Sequence, residues 1–253
     1  MRLLRGLFIA DPVVVLATIL FGTASLVVSF FDRTGAIQIK IARAWAKTLL
    51  GASGIRVETH GLDQISATGS YVFIANHVSY MDTPVMLANI PVQFRFLAKR
   101  GLFQIPFLGQ HLSRAGHIPV PREDARAAVK TMQRAAETIQ RKKISLLIFP
   151  EGGRSHDGAL QPFKEGGAYI AIRAGVPLVP VAIIGTGELL PWGSGIVRSG
   201  RVSLRILKPI ETTGLTLKDR ARLTEEARNS ILNELEFSSS PFSQAQSPRF
   251  ARE

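Results

Sequence analysis

The sequence predicts an α/β protein: a mixed, mostly parallel central sheet flanked by helices, preceded by an N-terminal hydrophobic and amphipathic helical anchor. Three observations predict it. Apolar runs of strand length recur at 71–75, 94–98, 117–120, 144–149 and 178–184. Helical periodicity fills several of the intervals between them, as parallel strands require for their crossovers. Two of the runs end directly in polar loops rich in chemistry-bearing residues, as strands do at the carboxyl edge of an open sheet.

From Pro12 to Phe31 there is no charge over twenty residues, enough to cross a bilayer. Asp11-Pro12 and Gly22 also fit a broken, shallow insertion, so a spanning helix and a helix buried along one leaflet both stand. Arg2 and Arg5 precede the run, whereas Arg33, Lys40, Arg43 and Lys47 follow it, which places the main domain on the cytoplasmic face of a cell membrane. Residues 36–50 put Ile37, Ile41, Ala44, Trp45 and Leu49 on one helical face. Trp45 among cations suits an interfacial helix on anionic headgroups, and packing on the main domain is the competing reading. Residues 1–52 are thus expected to anchor, 53–237 to form the catalytic domain, and 238–253 to be a disordered tail.

Within the main domain, residues 123–142 read as an amphipathic helix through Ala125, Val129, Met132, Ala136 and Ile139. Pro177 and Pro180 argue against a central strand over the whole of 174–184 and suggest a stiff wall for an apolar chain, with a strand entry after a helix ended by Gly175 as the equal alternative. Residues 202–206 alternate and stop at Pro209, as at a sheet edge, and 216–236 form a charged amphipathic helix through Leu217, Ala221, Ala227, Ile231 and Leu235.

Composition narrows the partners. The formal net charge is +12, which favours acidic partners. Hydrophobic residues make up 46% of the chain, high for a nucleic-acid binder, so an anionic membrane surface is preferred to nucleic acid. With no Cys, a cysteine nucleophile and a thiolate metal site are excluded, and His60, His111, His117 and His156 have no partners at metal-ligand spacing.

The chemistry centres on three stretches. In YVFIANHVSYMDTP (71–84) an apolar run delivers Asn76 and His77, and Asp82 follows five residues after the His. Five residues on a continuous helix turn about 500°, so the pair can meet only across a bend. Asp-Thr-Pro supplies a helix start there. A free imidazole titrates at about 6.5, suited to general-base work near neutrality, and a carboxylate can orient it. In FPEGGRS (149–155), Gly152 and Gly153 let backbone approach a ligand, Arg154 can grip phosphate, and Glu151 can orient that Arg or accept from a substrate hydroxyl. Between 99 and 122, Lys99, Arg100 and Arg122 stand at strand ends, where they could converge on an anion. No nucleophile elbow and no phosphate loop of the nucleotide-binding kind is present.

Four stretches, in order, resemble the glycerolipid acyltransferases, and most closely the bacterial lysophosphatidate acyltransferases. They are Asn76-His77 with Asp82; Gly116 with Arg122; Phe149 to Ser155, with Gly153 where the family has Thr; and Val176 to Val181, with Pro180 inside. The similarity spans roughly 70–210. It implies acyl transfer from acyl-CoA or acyl-carrier protein to the sn-2 hydroxyl of 1-acyl-glycerol-3-phosphate, with His77 as base and Asp82 as its support. It further implies that Arg122, Arg154 and Lys99 or Arg100 hold the acceptor's phosphate, that Glu151 and Gly152 shape the glycerol site, and that backbone donors of the first or third stretch stabilise the oxyanion. No metal or other cofactor is implied, because a thioester is already activated. Other acceptors (glycerol-3-phosphate, another lysophospholipid, a lyso-aminolipid) and a non-catalytic basic membrane-binding protein are the alternatives.

Overall fold

The computed structural model describes residues 11–32, 34–121 and 124–239. Helices α1 (Asp11–Val28) and α2 (Ala36–Ser53) form an antecedent pair. Strands β1 (Ile55–His60) and β2 (Val72–Ala75) follow, then α3 (Asp82–Asn89), β3 (Phe94–Lys99), α4 (Leu108–Arg114), β4 (Ile118–Val120), α5 (Ala125–Lys142) and β5 (Ser145–Ile148). The chain continues through α6 (Gly166–Ala174), β6 (Leu178–Ile184), the short α7 (Thr186–Leu189), β7 (Gly200–Ile206) and α8 (Arg220–Ser239).

The strands form one seven-stranded sheet in the order β1-β7-β6-β2-β5-β3-β4. Every pairing is parallel except β6 with β7. β2 lies at the middle, buried at all four positions, because both faces of the sheet are covered. Phe73 and Ala75 face α2 and α3, packing with Ile39, Ala46, Leu50, Val85 and Met86. Val72 and Ile74 face α5, α6 and α8, packing with Ala136, Ile139, Ile170, Leu223 and Ile231. Because β2, β3, β5 and β6 run parallel, the loops after all four emerge at one edge.

The structure revises three sequence expectations. β7 is interior, with β1 beside it in register from Ile55↔Gly200 to His60↔Arg205; the six-residue β1 is too polar to stand out by apolar run length. Pro180 sits inside a continuous central strand, and Val179 to Ala182 are buried core, not a wall for a ligand. Proline is tolerated because its N–H side faces the end of the β7 ladder, where Leu207 N–H donates to the Pro180 carbonyl at 2.9 Å. In α8 the buried face is Leu223, Ala227 and Ile231, with Ala221 exposed.

For α2 the structure shows the packing on the main domain that was one of its two readings. It packs on the main domain through Ile39, Ala46, Leu49 and Leu50, while Ile37 is exposed. Trp45 lies partly buried against the core and donates to Thr18 of α1 at 3.1 Å. Arg43 donates one guanidinium nitrogen to the carbonyls of Ile90, Pro91 and Val92, tying α2 to the loop that follows α3. Two cations at the surface of the helix pattern thus serve different ends: Arg43 is a clamp, Lys40 is solvated. α1 is long and apolar enough to cross a membrane by length and composition, with only Ala17 and Ser25 buried. Arg2, Arg5 and Arg33 lie outside the described residues, as does the tail from 240.

A buried cluster joins this helix pair to the sheet. Arg95 donates to the carbonyls of Thr34 and Phe94, and Phe96 N–H donates to His117 Nδ1 at 2.9 Å. Burial, with Arg95 and His111 nearby, holds the His117 pKa down to about 3 from 6.5. The unfolded chain therefore takes up a proton near pH 6.5 that the folded chain refuses until about pH 3. Stability should be whole above about pH 6.5 and fall as acid is added, by up to ~1.4 kcal/mol per pH unit from this group. Urea unfolding should show a lower midpoint at pH 5 than at pH 7, and His117→Gln a smaller drop; an identical drop in the variant would contradict it.

Candidate active site

Local sequence sets the position of each group before tertiary contacts fix its direction. β2 ends at Ala75, and Asn76 turns its amide back into the sheet, donating to the Ile183 carbonyl and accepting from Ile183 N–H, both at 2.8 Å. This pins the loop after β2 to β6. His77 then emerges at the carboxyl edge, its ring stacked on Phe149 at 4.0 Å and 14°.

Asp82 opens α3, as its Asp-Thr-Pro sequence predicts, but its carboxylate reaches back rather than capping the helix. Oδ2 accepts from His77 Nδ1 at 2.8 Å and from the Val78 and Ser79 amides at 2.9 Å each. Oδ1 accepts from Thr186 Oγ1 at 2.5 Å. The carboxylate is fully buried, and four donors compensate its desolvation. Nδ1 is thereby committed as donor, which leaves Nε2 of the partly exposed ring as its acceptor nitrogen.

The loop after β5 completes the edge. Glu151 Oε1 accepts from His77 N–H at 2.6 Å and Oε2 from Gln161 N–H at 3.0 Å. Burial pushes the Glu151 carboxyl up, while the Gln161 and His77 amides and the His77 ring pull it down. Ser155 N–H donates to the His77 carbonyl at 2.8 Å. The two motif loops are therefore stitched together on both sides of His77. Glu151 is a brace, and the expectation that it orients Arg154 is corrected: both its oxygens are engaged elsewhere.

Arg154 is instead held by aromatic faces. Its guanidinium carbon lies 3.4 Å from the Tyr80 ring centroid and 4.1 Å from that of Trp192, and His156 packs on Trp192 at 3.7 Å. Such stacking leaves the in-plane N–H groups free to donate to an anion. Gly152 adopts φ +80°, and a Cβ there would come within 2.8 Å of Lys164 Nζ. Gly153, where the resembled family has Thr, is exposed, with nothing within 4 Å of a Cβ.

Donor occupancy decides where an oxyanion can sit. The amides of His77, Val78 and Ser79 are taken by Glu151 and Asp82, which removes these donors of the first motif. Among the described residues, Gly153 and Arg154 N–H have no partner.

Beside this loop lies a cavity of about 340 Å³, lined by Leu97, Val120, Met132, Ile148 and Phe149, with Lys99 and Lys164 among its cations. Phe149 thus separates His77 from an apolar space with a basic rim. Lys99 lines this cavity and Arg100, beginning a 3-10 turn, does not. Gly116, at φ +79°, packs beside Arg95, whereas Arg122 lies outside the described residues. No cluster of three or more potential metal ligands occurs among the described residues.

Four groups escaped the sequence reading: Thr186, Tyr80, Trp192 and Lys164. Thr186 had a usable signal, since β6 also ends in a glycine-flanked polar loop, Gly185-Thr186-Gly187. Tyr80 and Trp192 had none, because aromatic residues in loops carry no spacing rule.

An imidazole held by a buried carboxylate lies at the carboxyl edge of a mostly parallel sheet, beside a basic loop, an arrangement able to accept a proton from a bound hydroxyl. Comparison with known proteins gives the family. Residues 56–184 match the family model described as Acyltransferase, and the chain belongs to that family. It is 35% identical over 234 residues to the chloroplastic 1-acyl-sn-glycerol-3-phosphate acyltransferase BAT2 of Brassica napus, covering 90% of this chain and 66% of that protein. It is 31% identical over 195 residues to 1-acyl-sn-glycerol-3-phosphate acyltransferase alpha of Homo sapiens, covering 77% and 69%. The chain thus spans about two thirds of the length of these relatives. The crystal structure of the 1-acyl-sn-glycerophosphate acyltransferase PlsC of Thermotoga maritima superposes with a TM-score of 0.78 at 25% identity, covering 95% of this chain and 98% of that one.

Proposed function

We propose that the protein transfers a fatty acyl group from acyl-CoA or acyl-carrier protein to the sn-2 hydroxyl of 1-acyl-glycerol-3-phosphate, yielding phosphatidic acid. The observation that carries this reading is the His77–Asp82 pair, with Nδ1 committed at 2.8 Å and a basic loop alongside. Curated relatives named for that acceptor support it. The acceptor hydroxyl oxygen attacks the thioester carbon as His77 Nε2 takes its proton. The Gly153 and Arg154 amides stabilise the oxyanion, an effect typically of ~10²–10³ in rate per donor. Collapse expels the thiolate, which recovers the proton from the imidazolium. No side chain forms a covalent intermediate, and no metal or cofactor is required.

Arg154, with Lys99 and Arg122 as further cations, holds the phosphate, and the cavity behind Phe149 receives apolar chain. Gly152 supplies the close backbone approach. The helix pair attaches the enzyme to the cytoplasmic face of the cell membrane, where acceptor and product both reside. α1 is ~27 Å long at 1.5 Å per residue and runs beside α2, which is anchored in the catalytic core; this favours monotopic insertion over a crossing.

The test is thiol release by the purified full chain with both donors against lysophosphatidate, glycerol-3-phosphate, lysophosphatidylcholine and a lyso-aminolipid. Lysophosphatidate should be strongly preferred. Arg154→Ala should raise its apparent KM roughly 10–100-fold with little change in the donor KM, as for loss of a charge-assisted contact. Equal effects on both substrates would remove Arg154 from the phosphate site, and no acceptor-dependent release would overturn the enzymatic reading.

A further inference from the structure

Residues 102–108, from the end of β3 into the first turn of α4, carry apolar side chains that no described part of the chain covers. Leu102, Ile105 and Leu108 are exposed, and Phe107 is 75% exposed. Phe107 also holds φ +62°, a conformation disfavoured for a residue with a Cβ. Strain at an exposed aromatic residue points to a use outside the fold.

Three further observations indicate what that use is. The segment adjoins the anchor: the helix it leads into, α4, packs on α1, Arg114 of α4 lies 4.1 Å over the ring of Phe30, just past α1, and α1 exposes Leu16, Ile19, Leu20 and Val27. Cations flank it, with Lys99 and Arg100 entering the segment and Arg114 leaving it, on a chain of net charge +12. The segment also leaves β3 at the same edge as His77, since β2 and β3 both run parallel to β5. Apolar tips within a basic surround fit the headgroup–acyl boundary of an anionic leaflet.

We propose that residues 102–108 are a second membrane-insertion element, which dips Phe107 into the acyl region and, with α1, sets the mouth of the catalytic edge against the lipid surface. The inference rests on reading α1 as a membrane anchor, and it goes beyond that reading by assigning contact to the catalytic domain itself. Two points of insertion restrict rotation about the anchor, so the site faces the leaflet that holds its acceptor.

The absence of Cys makes the test direct. Single cysteines at Phe107, Ile19 and Glu225 of the full chain are labelled with an environment-sensitive fluorophore. Each is added to vesicles of phosphatidylcholine and phosphatidylglycerol, with or without spin label on the acyl chains. Quenching at positions 107 and 19, and none at 225 on the exposed face of α8, is expected. Phe107→Asp should weaken vesicle partition about tenfold or more while leaving turnover of detergent-dispersed acceptor near that of the parent. Quenching at 19 but not 107 would overturn the proposal and leave α1 as the sole anchor. Label burial at 107 in solution, with concentration-dependent self-association, would overturn it in favour of a second copy. An inactive parent whose 107 label is quenched would sink the enzymatic reading while sustaining this one.

Discussion

Replacing His77 by alanine should lower turnover roughly 10³–10⁴-fold while the protein stays folded. The size follows from loss of the proton acceptor in the attack step. The fold should survive because the vacated Asp82 carboxylate keeps three donors, Val78 N–H, Ser79 N–H and Thr186 Oγ. No buried charge is stranded, and the lost Phe149 stacking lies at the edge of the sheet rather than in its core. Saturating-substrate assays with a thermal melt on the same sample measure both halves. An activity above about a tenth of the parent's would remove His77 as the base.

Asp82→Asn should cost roughly 10²–10³ in kcat, for a reason this geometry makes specific. The Val78 and Ser79 amides both point at Oδ2, so they hold the asparagine oxygen there, with the NH₂ turned to Thr186. The imidazole keeps its acceptor at Nδ1 and therefore its tautomer. What disappears is the negative charge facing the imidazolium that forms in the transition state, at a buried site where screening by water is weak. Acceptor and donor KM should change little, because neither Asp82 oxygen is available to them. Loss of binding with kcat intact would mean that Asp82 shapes the site without supporting the base. Thr186→Val, which removes one donor and keeps the charge, should reduce kcat by a smaller factor in the same direction.

Much of this site can be read from the chain because its parts are local. Apolar runs mark β2, β3, β5 and β6, and the residues just past β2, β3 and β5 are those expected to act. The requirement for a bend between His77 and Asp82 follows from helical rotation alone, and the bend is present. The departures have physical causes. β1 alternates Ile55, Val57 and Thr59 with charged or polar residues, so it lacks an apolar run, and without it β7 resembles an edge. Pro180 is compatible with a central strand only because of where β7 ends, a fact about a neighbour rather than about 174–184. Glu151 looks like a partner for Arg154 three residues away, yet its carboxylate is taken by His77 N–H and Gln161 N–H.

Which side chains stand at strand ends, and that an imidazole, a carboxylate and a set of cations are available there, follows from the chain alone. Strand, turn and helix start are set by neighbours a few residues apart, whose sterics and apolar spacing the chain displays directly. Which donors are spent and which are free depends on long-range contacts. The bonds that decide this join residues 74 positions apart for Glu151 and His77 and 104 apart for Thr186 and Asp82. Those partners are set by the order of strands in the sheet, and buried strands with similar apolar faces do not encode their neighbours in their own composition.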